Sequence, residues 1–366
     1  MRTFLINCSN LKQGGGLQVA QSICEQLPRR KDCRFIVVLS TYINNDRLDF
    51  GDENVELYHY NVKHDLRTVL FGRDTFLDGL VKRKGVDAVL TLFGPSIWRP
   101  KVPHLCGFAR AQLLLTDSPY YKKLSLKELV MYKIWSWGFR KSSNTFYTEN
   151  PYISRLLPRL MPYAKIYTVT NYYNQVFDQP ERWQRKILLP PFDGTTLLTV
   201  SSAAAHKNLG IMVLVAEYLE KSYPDFNFRF VLTCGQAPFV LPEHLRKHFV
   251  FVGKVDVAEC PNLYEQADIM FMPSLMECFT ATYPEAMRMD TPIVATDLEF
   301  ARGLCGDAAC YYSAVDAEAA AGAIHQVATD KTYANQLVKA GRKQLLTYDN
   351  YEQRAEKLIG ILENIS

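Results

Sequence analysis

Residues 271–297 read FMPSLMECFTATYPEAMRMDTPIVATD, and this stretch decides the fold of the chain. A short apolar run, Ile269 to Met272, ends at Pro273, and a second run spans Pro292 to Ala295. Between them, Ala281 to Met289 consists mainly of helix-forming residues. The pattern predicts a strand, a loop, a helix and a second strand. This is a βαβ unit whose functional loop follows the first strand.

Two carboxylates, Glu277 and Glu285, lie on this loop and on the helix that it enters. A helix N-terminus beside such a loop offers amides and a positive dipole end, which favour a phosphate. Glu285 can accept hydrogen bonds from the paired hydroxyls of a ribose, and Glu277 would then lie nearer the reacting group. The residues Thr282–Glu285 also fit a capping box, in which Glu285 caps its own helix. From the residues alone, both interpretations stay open.

The order of these residues resembles the donor-site signature of family 4 of the retaining glycosyltransferases. The match consists of Glu277, seven residues, Glu285, then Ala-Met and the strand PIVAT, with Pro-Ser before the first Glu. Thr280 and Thr282 depart from the family, which usually has Gly and Pro there, and Gly permits closer backbone approach to a sugar. The resemblance implies a two-domain GT-B enzyme that uses a nucleotide sugar. It implies catalytic roles for Glu277 and Lys207, and donor contacts at Phe279, Thr280 and Glu285.

A second donor-side segment lies between the predicted strand 196–200 and the predicted helix 208–221. The family has an Arg five residues before a Lys here, and both face the donor phosphates. Lys207 and Asn208 match, whereas Ser202 occupies the position of the Arg. Without the bidentate Arg, charge neutralisation would fall on Lys207, on helix amides and on the glycine turn. The alternative makes Asn208 an N-cap and leaves Lys207 solvated.

The glycine turn, Gly14 to Gly16, follows the first predicted strand and precedes the helical run 18–27. Such a turn places amides where a phosphate can rest, although the dinucleotide spacing Gly-x-Gly-x-x-Gly is absent, and a flexible turn fits equally. In the resembled family a glycine pair here borders the cleft beside the donor phosphate and the acceptor, which implies roles for Gly15 and Gly16. Where the family has an active-site His, this chain has Gly107-Phe108-Ala109. His104 comes earlier, so we assign it no catalytic role.

Length and composition predict two soluble domains. The chain has 366 residues, 48% of them hydrophobic and 22% charged, and no apolar run approaches the roughly 20 residues of a membrane span. Its nine cysteines show no metal-binding spacing, which indicates reduced thiols in the cytoplasm. Strands alternate with helices throughout, which predicts parallel sheets. We place the acceptor-side domain at 1–178 and the donor-binding domain at 179–347, with the last helix, 348–366, returning to the first domain as in GT-B proteins.

Positive charge is concentrated in the first half. Residues 1–180 contain 25 Lys and Arg against 15 Asp and Glu, and the remainder contains 17 against 23. The run 120–141 combines lysines with an apolar face made of Leu124, Leu126, Leu129, Val130, Ile134 and Trp137. This pattern is typical of a helix at an anionic membrane surface, and a helix packed on its own sheet is the alternative.

The sequence therefore predicts an α/β protein of GT-B architecture, with two doubly wound Rossmann-like domains facing a central cleft. We expect a retaining, hexosyl-type glycosyltransferase (EC 2.4) that acts in cell-surface glycan biosynthesis, such as O-antigen, capsule or lipopolysaccharide. Its donor would be a UDP- or GDP-sugar, its acceptor a saccharide or lipid-linked saccharide, and nucleic acid is not an expected partner. No Asp-x-Asp motif occurs, so we predict no metal and no further cofactor. A non-catalytic nucleotide-sugar-binding protein, an epimerase and an inverting transferase remain alternatives. The expected location is the cytoplasm, with peripheral attachment to the inner face of the membrane.

Overall fold

The computed structural model describes residues 1–12, 15–42, 53–62 and 66–366. The chain divides into two compact units. The first consists of Met1–Thr116, Leu124–Asn171 and Asp349–Ser366, and the second of Asp117–Lys123 and Tyr172–Tyr348. The short segment Asp117–Lys123 therefore belongs to the second unit, although the residues on both sides of it belong to the first.

Strands and helices alternate along both units. The described strands are β1 (Arg2–Cys8), β2 (Cys33–Leu39), β3 (Val55–His59), β4 (Ala88–Thr91), β5 (His104–Gly107), β6 (Thr145–Thr148), β7 (Lys165–Thr168), β8 (Thr195–Thr199), β9 (Phe228–Leu232), β10 (Phe249–Phe251), β11 (Ile269–Met272), β12 (Ile293–Thr296) and β13 (Ala309–Tyr312). The described helices are α1 (Gly15–Cys24), α2 (Leu66–Phe71), α3 (Thr75–Lys84), α4 (Leu126–Ser142), α5 (Pro151–Leu156), α6 (Ile211–Ser222), α7 (Cys260–Glu265), α8 (Thr282–Arg288), α9 (Glu299–Cys305), α10 (Ala317–Thr329), α11 (Lys331–Leu345) and α12 (Tyr351–Ile365).

The first unit is built on a seven-stranded parallel sheet in the order β3-β2-β1-β4-β5-β6-β7. The strand order reverses between β1 and β4, and a ligand crevice is expected at the carboxyl ends of such a pair. Phe4, Ile6 and Leu90 from these strands form the core with α1. Leu358 and Leu362 of α12 lie in the same core, so the end of the chain completes the first unit.

The second unit is built on a six-stranded parallel sheet in the order β10-β9-β8-β11-β12-β13. Here the strand order reverses between β8 and β11. The strands β9, β11 and β12 are buried at every residue, because helices cover both faces of a parallel sheet. Side chains of α6 and α10 form the core with them, among them Val215 and Ile324.

The βαβ unit predicted from residues 271–297 is present as β11, α8 and β12. Met270 of β11 pairs in parallel with Ile293 of β12.

Local sequence rules also explain the helix ends of α3. The Asp74 side chain caps α3 by accepting bonds from the amides of Phe76 and Leu77, and Gly85 ends that helix with a φ of 60°.

Candidate active site

Lys207 and Glu277 lie beside the strand-order reversal of the second sheet. Lys207 is in the loop that follows β8, and Glu277 is in the loop that follows β11. The Nζ of Lys207 lies 2.5 Å from Oε1 of Glu277, and their side chains are only 13% and 9% exposed. Loops after the two strands that flank such a reversal are where a doubly wound sheet binds its ligands. The structure thus brings together the two residues that the sequence predicted as catalytic.

Neighbouring hydrogen bonds hold these loops in place. The amide of Leu275 donates to the carbonyl of His206 at 2.8 Å, which joins the loop of Glu277 to that of Lys207. The hydroxyl of Thr296, at the end of β12, donates to the carbonyl of Ser274 at 2.7 Å. Burial lowers the pKa of His206, and the Glu277 carboxylate opposes that shift. His206 is therefore a neutral neighbour of the ion pair at pH 7.

Glu285 is buried on α8 and contacts a tyrosine that the sequence analysis missed. The hydroxyl of Tyr264, on α7, lies 3.2 Å from Oε2 of Glu285 and 3.2 Å from the carbonyl of Thr282. Burial raises the pKa of Glu285 to about 7, and the bond from Tyr264 opposes this. The carboxylate form of Glu285 is therefore costly in the protein alone and gains from any hydroxyl that donates to it.

The capping-box interpretation of Thr282–Glu285 is wrong. Ala281 is the N-cap of α8 and makes no side-chain cap. The hydroxyl of Thr282 pairs instead with that of Thr280, at 2.8 Å, and Glu285 is directed to Tyr264. In the described structure, the Glu285 carboxylate therefore does not cap α8 by bonding a backbone amide. The interpretation of Glu285 as a ligand-binding residue is retained.

Asn208 has a conformation that its sequence context did not indicate. Its φ is 53°, in the left-handed region that Asn tolerates better than most residues, and Gly210 is the N-cap of α6. The N-cap interpretation of Asn208 is therefore wrong. Its Nδ2 atom is buried without a hydrogen-bond partner among the described residues, and so is the hydroxyl of Ser274. Buried donors without partners are costly, so both atoms fit a site completed by a polar ligand.

The remaining donor-side candidates do not converge on the ion pair in the described contacts. Ser202 is exposed, and its carbonyl accepts a bond from the hydroxyl of Ser201 at 3.0 Å. Phe279 is half-buried, with its ring edge-on to Tyr348 at a centroid distance of 6.2 Å. Thr280 is buried beside Thr282. The second interpretation of Lys207, as a solvated side chain, is wrong because Glu277 pairs with it.

The first unit also has a polar residue, Asn10, beside its strand-order reversal. Asn10 follows β1, and its Nδ2 donates to the carbonyl of Phe93, which follows β4, at 2.5 Å. Its Oδ1 is buried without a partner among the described residues. The sequence analysis missed Asn10, although a polar residue two positions after the first buried strand was a visible signal.

Gly15 and Gly16 are the first two residues of α1 and do not form a separate turn, which corrects the prediction of a glycine turn followed by a helix from Gln18. Gly14 lies outside the described residues. A Cβ added to Gly15 would meet no atom within 4 Å, and one added to Gly16 would lie 3.5 Å from the ring of Phe93. Among the described residues, there is thus open space where a side chain at position 15 would lie.

His104 is buried on β5 with partners at both ring nitrogens. Its Nε2 lies 2.9 Å from the hydroxyl of Thr91, and its Nδ1 lies 2.9 Å from the carbonyl of Ser142. Burial lowers the pKa of His104 to about 4. This environment holds β5 to α4 with a neutral imidazole and offers no proton acceptor to a substrate.

One group of three potential metal ligands occurs in the part of the chain that the structure describes. It consists of Asp32, Cys33 and Glu363, all in the first unit. Arg30 already bonds Asp32 at 2.9 Å and Glu363 at 2.8 Å. This group is therefore a surface ion-pair cluster with its own cation. Metal-independent transfer stays a prediction.

The helix predicted in the run 120–141 begins at Leu126, where Ser125 and Glu128 form a capping box. It packs through Tyr132 and Phe139, which are buried. Four residues of the predicted apolar face are exposed, namely Leu126 (78%), Val130 (51%), Ile134 (61%) and Trp137 (48%). We call these four residues the α4 apolar stripe. The alternative, that this face packs on the sheet, is wrong for the stripe. Exposed cations border it at Lys127, Lys133 and Lys141.

Within the described ranges, no helix has both the length and the hydropathy that a transmembrane span requires.

Comparison with known families and structures identifies the class of fold and a family that matches part of the chain. The family described as glycosyl transferases group 1 matches residues 181–344, which lie within the second unit and contain Lys207, Glu277 and Glu285. The matched region covers 164 of the 366 residues. No curated protein sequence matches the chain.

Several solved structures share the fold over the whole chain. A sucrose-phosphate synthase from Thermosynechococcus elongatus is 14% identical, with a TM-score of 0.70 over 100% of this chain and 99% of that chain. A glycosyltransferase from Rickettsia africae is 17% identical, with a TM-score of 0.69 over 100% and 98%. An Anabaena protein in complex with UDP and glucose is 12% identical, with a TM-score of 0.67 over 99% of each chain. The predicted GT-B fold class is confirmed.

Proposed function

We propose that this protein is a retaining glycosyltransferase that moves a hexosyl unit from a UDP- or GDP-sugar to a saccharide or lipid-linked acceptor. The observation that carries the proposal is the buried ion pair between Lys207 and Glu277. It lies beside the strand-order reversal of the second sheet, within the region that matches the group 1 family. A similar fold is known from the Anabaena protein in complex with UDP and glucose, which supports a donor of the same chemistry here.

The donor would be held by the buried Glu285 carboxyl and by a side-chain donor without a partner among the described residues. Glu285, whose pKa is raised to about 7 by burial, would accept hydrogen bonds from the ribose hydroxyls. The Nδ2 of Asn208, buried without a partner in the described structure, would donate to a phosphate oxygen. Backbone amides at Phe279 and Thr280 would supply further donors. Because Ser202 replaces the expected Arg and is exposed, Lys207 would be the principal cation at the phosphates.

In the chemical step the bond between the anomeric carbon and the phosphate oxygen breaks, and negative charge grows on the departing diphosphate. Lys207 would stabilise that charge more strongly in the transition state than in the ground state, which lowers the barrier. Glu277 would orient the sugar and, through its ion pair, the Lys207 ammonium group. We infer retention by front-face attack of the acceptor hydroxyl, which passes its proton to the departing phosphate oxygen. Glu277 is paired with Lys207, and it is not assigned as a covalent nucleophile.

We further propose that the acceptor belongs to a cell-surface glycan and that the protein works at the cytoplasmic face of a membrane. The support is the α4 apolar stripe with its bordering lysines, together with the excess of positive charge in residues 1–180. An apolar helix face surrounded by cations fits the interface of an anionic bilayer.

A thermal-shift screen against UDP-, GDP- and ADP-sugars tests the donor, because a ligand that binds the folded state raises its apparent stability. We expect one nucleotide class to raise the melting temperature of the wild type and not of Glu285→Gln. Assays with and without acceptors then separate the alternatives. Donor binding without hydrolysis or transfer would indicate a non-catalytic binder, for which the exposed Ser202 is the supporting observation. An epimer released without any acceptor would indicate an epimerase, and an inverted anomeric product an inverting transferase.

A further inference from the structure

We propose that the segment Asp117–Lys123 positions the donor site, with Ser118 and Tyr120 as its positioning residues. The inference rests on the proposed function and adds to it residues outside the region that matches the family. We call this segment the strap. It is placed in the second unit by its packing, although the chain before and after it belongs to the first unit. A seven-residue excursion of this kind needs contacts that hold it, and those contacts lie beside the ion pair.

The strap forms a closed ring of contacts with the two loops that carry Lys207 and Glu277. The Ser118 hydroxyl donates to the carbonyl of Leu275 at 2.6 Å. The amide of Leu275 donates to the carbonyl of His206 at 2.8 Å. The ring of His206 meets that of Tyr120 edge to face, at a centroid distance of 6.0 Å. The amide of Tyr120 closes the ring by donating to the Ser118 hydroxyl at 3.2 Å.

Two members of this ring are close in sequence to the ion pair. Leu275 precedes Glu277 by two residues, and His206 directly precedes Lys207. Ser118 is buried, so its bond to Leu275 is shielded from competing water. The strap therefore fixes the spacing of the two loops, and with it the 2.5 Å contact between Lys207 and Glu277.

In the described contacts, the strap touches Leu275 and His206 and not the side chains of Lys207 and Glu277. It therefore acts on the ion pair through other residues. Its loss should therefore misplace Lys207 and Glu277 more than it weakens donor binding, which rests mainly on Glu285 and Asn208. Small misplacements of a charge that acts in the transition state are costly in turnover, up to roughly 100-fold for a shift of about 1 Å. A purely structural role would instead lower the melting temperature and affect kcat and donor affinity together.

The test compares four variants by kcat, donor dissociation constant, melting temperature and hydrogen exchange. Ser118→Ala removes both hydroxyl contacts, and Tyr120→Ala removes the ring against His206. Tyr120→Phe keeps that ring. Tyr121→Ala is the matched control, because it deletes a neighbouring tyrosine side chain for which the described structure shows no ring contact.

We expect Ser118→Ala and Tyr120→Ala to lower kcat by on the order of tenfold, with donor dissociation constants within about twofold of the wild type. Tyr120→Phe should restore kcat, and Tyr121→Ala should leave it unchanged. In Ser118→Ala, the amide of Leu275 should exchange faster, a readout that does not depend on turnover. An unchanged exchange rate of the Leu275 amide would overturn the proposed role of the strap, whatever the activity of the variant. Equal losses in kcat and donor affinity would also overturn it. A wild type that neither binds nor turns over any nucleotide sugar would instead refute the proposed function. The exchange of the Leu275 amide would still test whether the strap holds the two loops.

Discussion

The ammonium group of Lys207 lies 2.5 Å from the carboxylate of Glu277, and the two residues come from loops on either side of the β8–β11 strand-order reversal. The pair is largely buried, so each charge depends on the other for compensation. A diphosphate that enters beside Lys207 would share its ammonium group with Glu277. The ion pair thus keeps the lysine oriented before the donor arrives, which is the preorganisation that electrostatic catalysis requires.

Lys207→Ala should reduce turnover more than donor affinity, because the phosphate charge that Lys207 opposes grows toward the transition state. We expect a loss of kcat of about 100-fold or more, comparable with the removal of one preorganised stabilising group elsewhere. Lys221→Ala, an exposed lysine at the end of α6, is the matched control. Steady-state kinetics and isothermal titration with the identified donor measure the two effects. Full activity in Lys207→Ala would defeat the proposed mechanism.

Donor affinity should fall with decreasing pH in a way that depends on Glu285. Burial raises the pKa of this carboxyl to about 7, and its ionised form is the better acceptor for ribose hydroxyls. We expect the donor to bind more tightly at pH 8 than at pH 6. Glu285→Gln should bind weakly at both values. Titration calorimetry at the two pH values measures this, and an unchanged pH profile in the variant would assign the dependence to another group.

The raised pKa of Glu285 also predicts how its substitution changes the stability of the fold. A carboxyl whose pKa is higher in the folded protein than in the unfolded chain favours folding most below the unfolded pKa. Its contribution is lost as the pH rises to about 7. Glu285→Gln carries no such group, so relative to the wild type it should gain stability between pH 5 and pH 8, by up to about 3 kcal/mol. A variant that melts far below the wild type at pH 8 and still binds donor would show a structural role.

The sequence predicted those parts of the fold that local patterns determine. The strands β11 and β12 were predicted to within one residue, because continuous apolar runs end at turn-forming residues on both sides. It also predicted that Lys207 and Glu277 share a site, through a resemblance to family 4 of the retaining glycosyltransferases. It did not reveal their direct pairing, since 69 intervening residues hide any contact between two loops.

Other features depended on tertiary packing and could not be predicted from the sequence. The left-handed conformation of Asn208 contradicts its N-cap interpretation, because the turn that ends at Asn208 places Gly210 at the start of α6. The apolar face predicted for the run 120–141 exists, but α4 packs through Tyr132 and Phe139 on another side. Amphipathicity identifies a face without telling whether the sheet or the solvent meets it.

Transfer should proceed without a divalent metal, because no Asp-x-Asp motif occurs in the sequence and Lys207 offers a cation for the diphosphate. We expect wild-type turnover to stay within about twofold in the presence of excess EDTA. The Lys207→Ala variant should remain slow when magnesium or manganese is added. An absolute requirement for either ion would contradict this prediction, and so would rescue of the variant by one of them.

The α4 apolar stripe should mediate binding to anionic vesicles. Replacing Ile134 by Glu puts a negative charge in the centre of the stripe and among lysines that would face the lipid. We expect at least a tenfold loss of binding to phosphatidylglycerol vesicles in sedimentation, and weaker wild-type binding at high salt. Leu346→Glu is the matched control, because Leu346 is equally apolar and 87% exposed in the second unit. No wild-type binding at low salt would refute the membrane proposal.

Arg354 should be a determinant of the stability of the first unit. It is buried on α12, where its Nη2 donates to the Ser22 hydroxyl on α1 at 2.7 Å and its Nη1 donates to the side chain of Asn171. It also opposes the effect of burial on Glu149, whose pKa burial raises to about 7. Arg354→Met removes these bonds and leaves the Glu149 carboxyl without its cation, so we expect a loss of about 3 kcal/mol or more at pH 8.

The double variant Arg354→Met/Glu149→Gln tests the origin of that loss. Glu149→Gln removes the charge that the arginine compensates, so the double variant should recover part of the stability lost in Arg354→Met at pH 8. At pH 5, where Glu149 is protonated in the folded protein, the recovery should shrink, because no carboxylate then needs a partner. Urea denaturation at the two pH values measures all four combinations. No recovery at pH 8 would show that Arg354 acts only through Ser22 and Asn171, and a loss below about 1 kcal/mol in Arg354→Met would contradict its role in attaching α12.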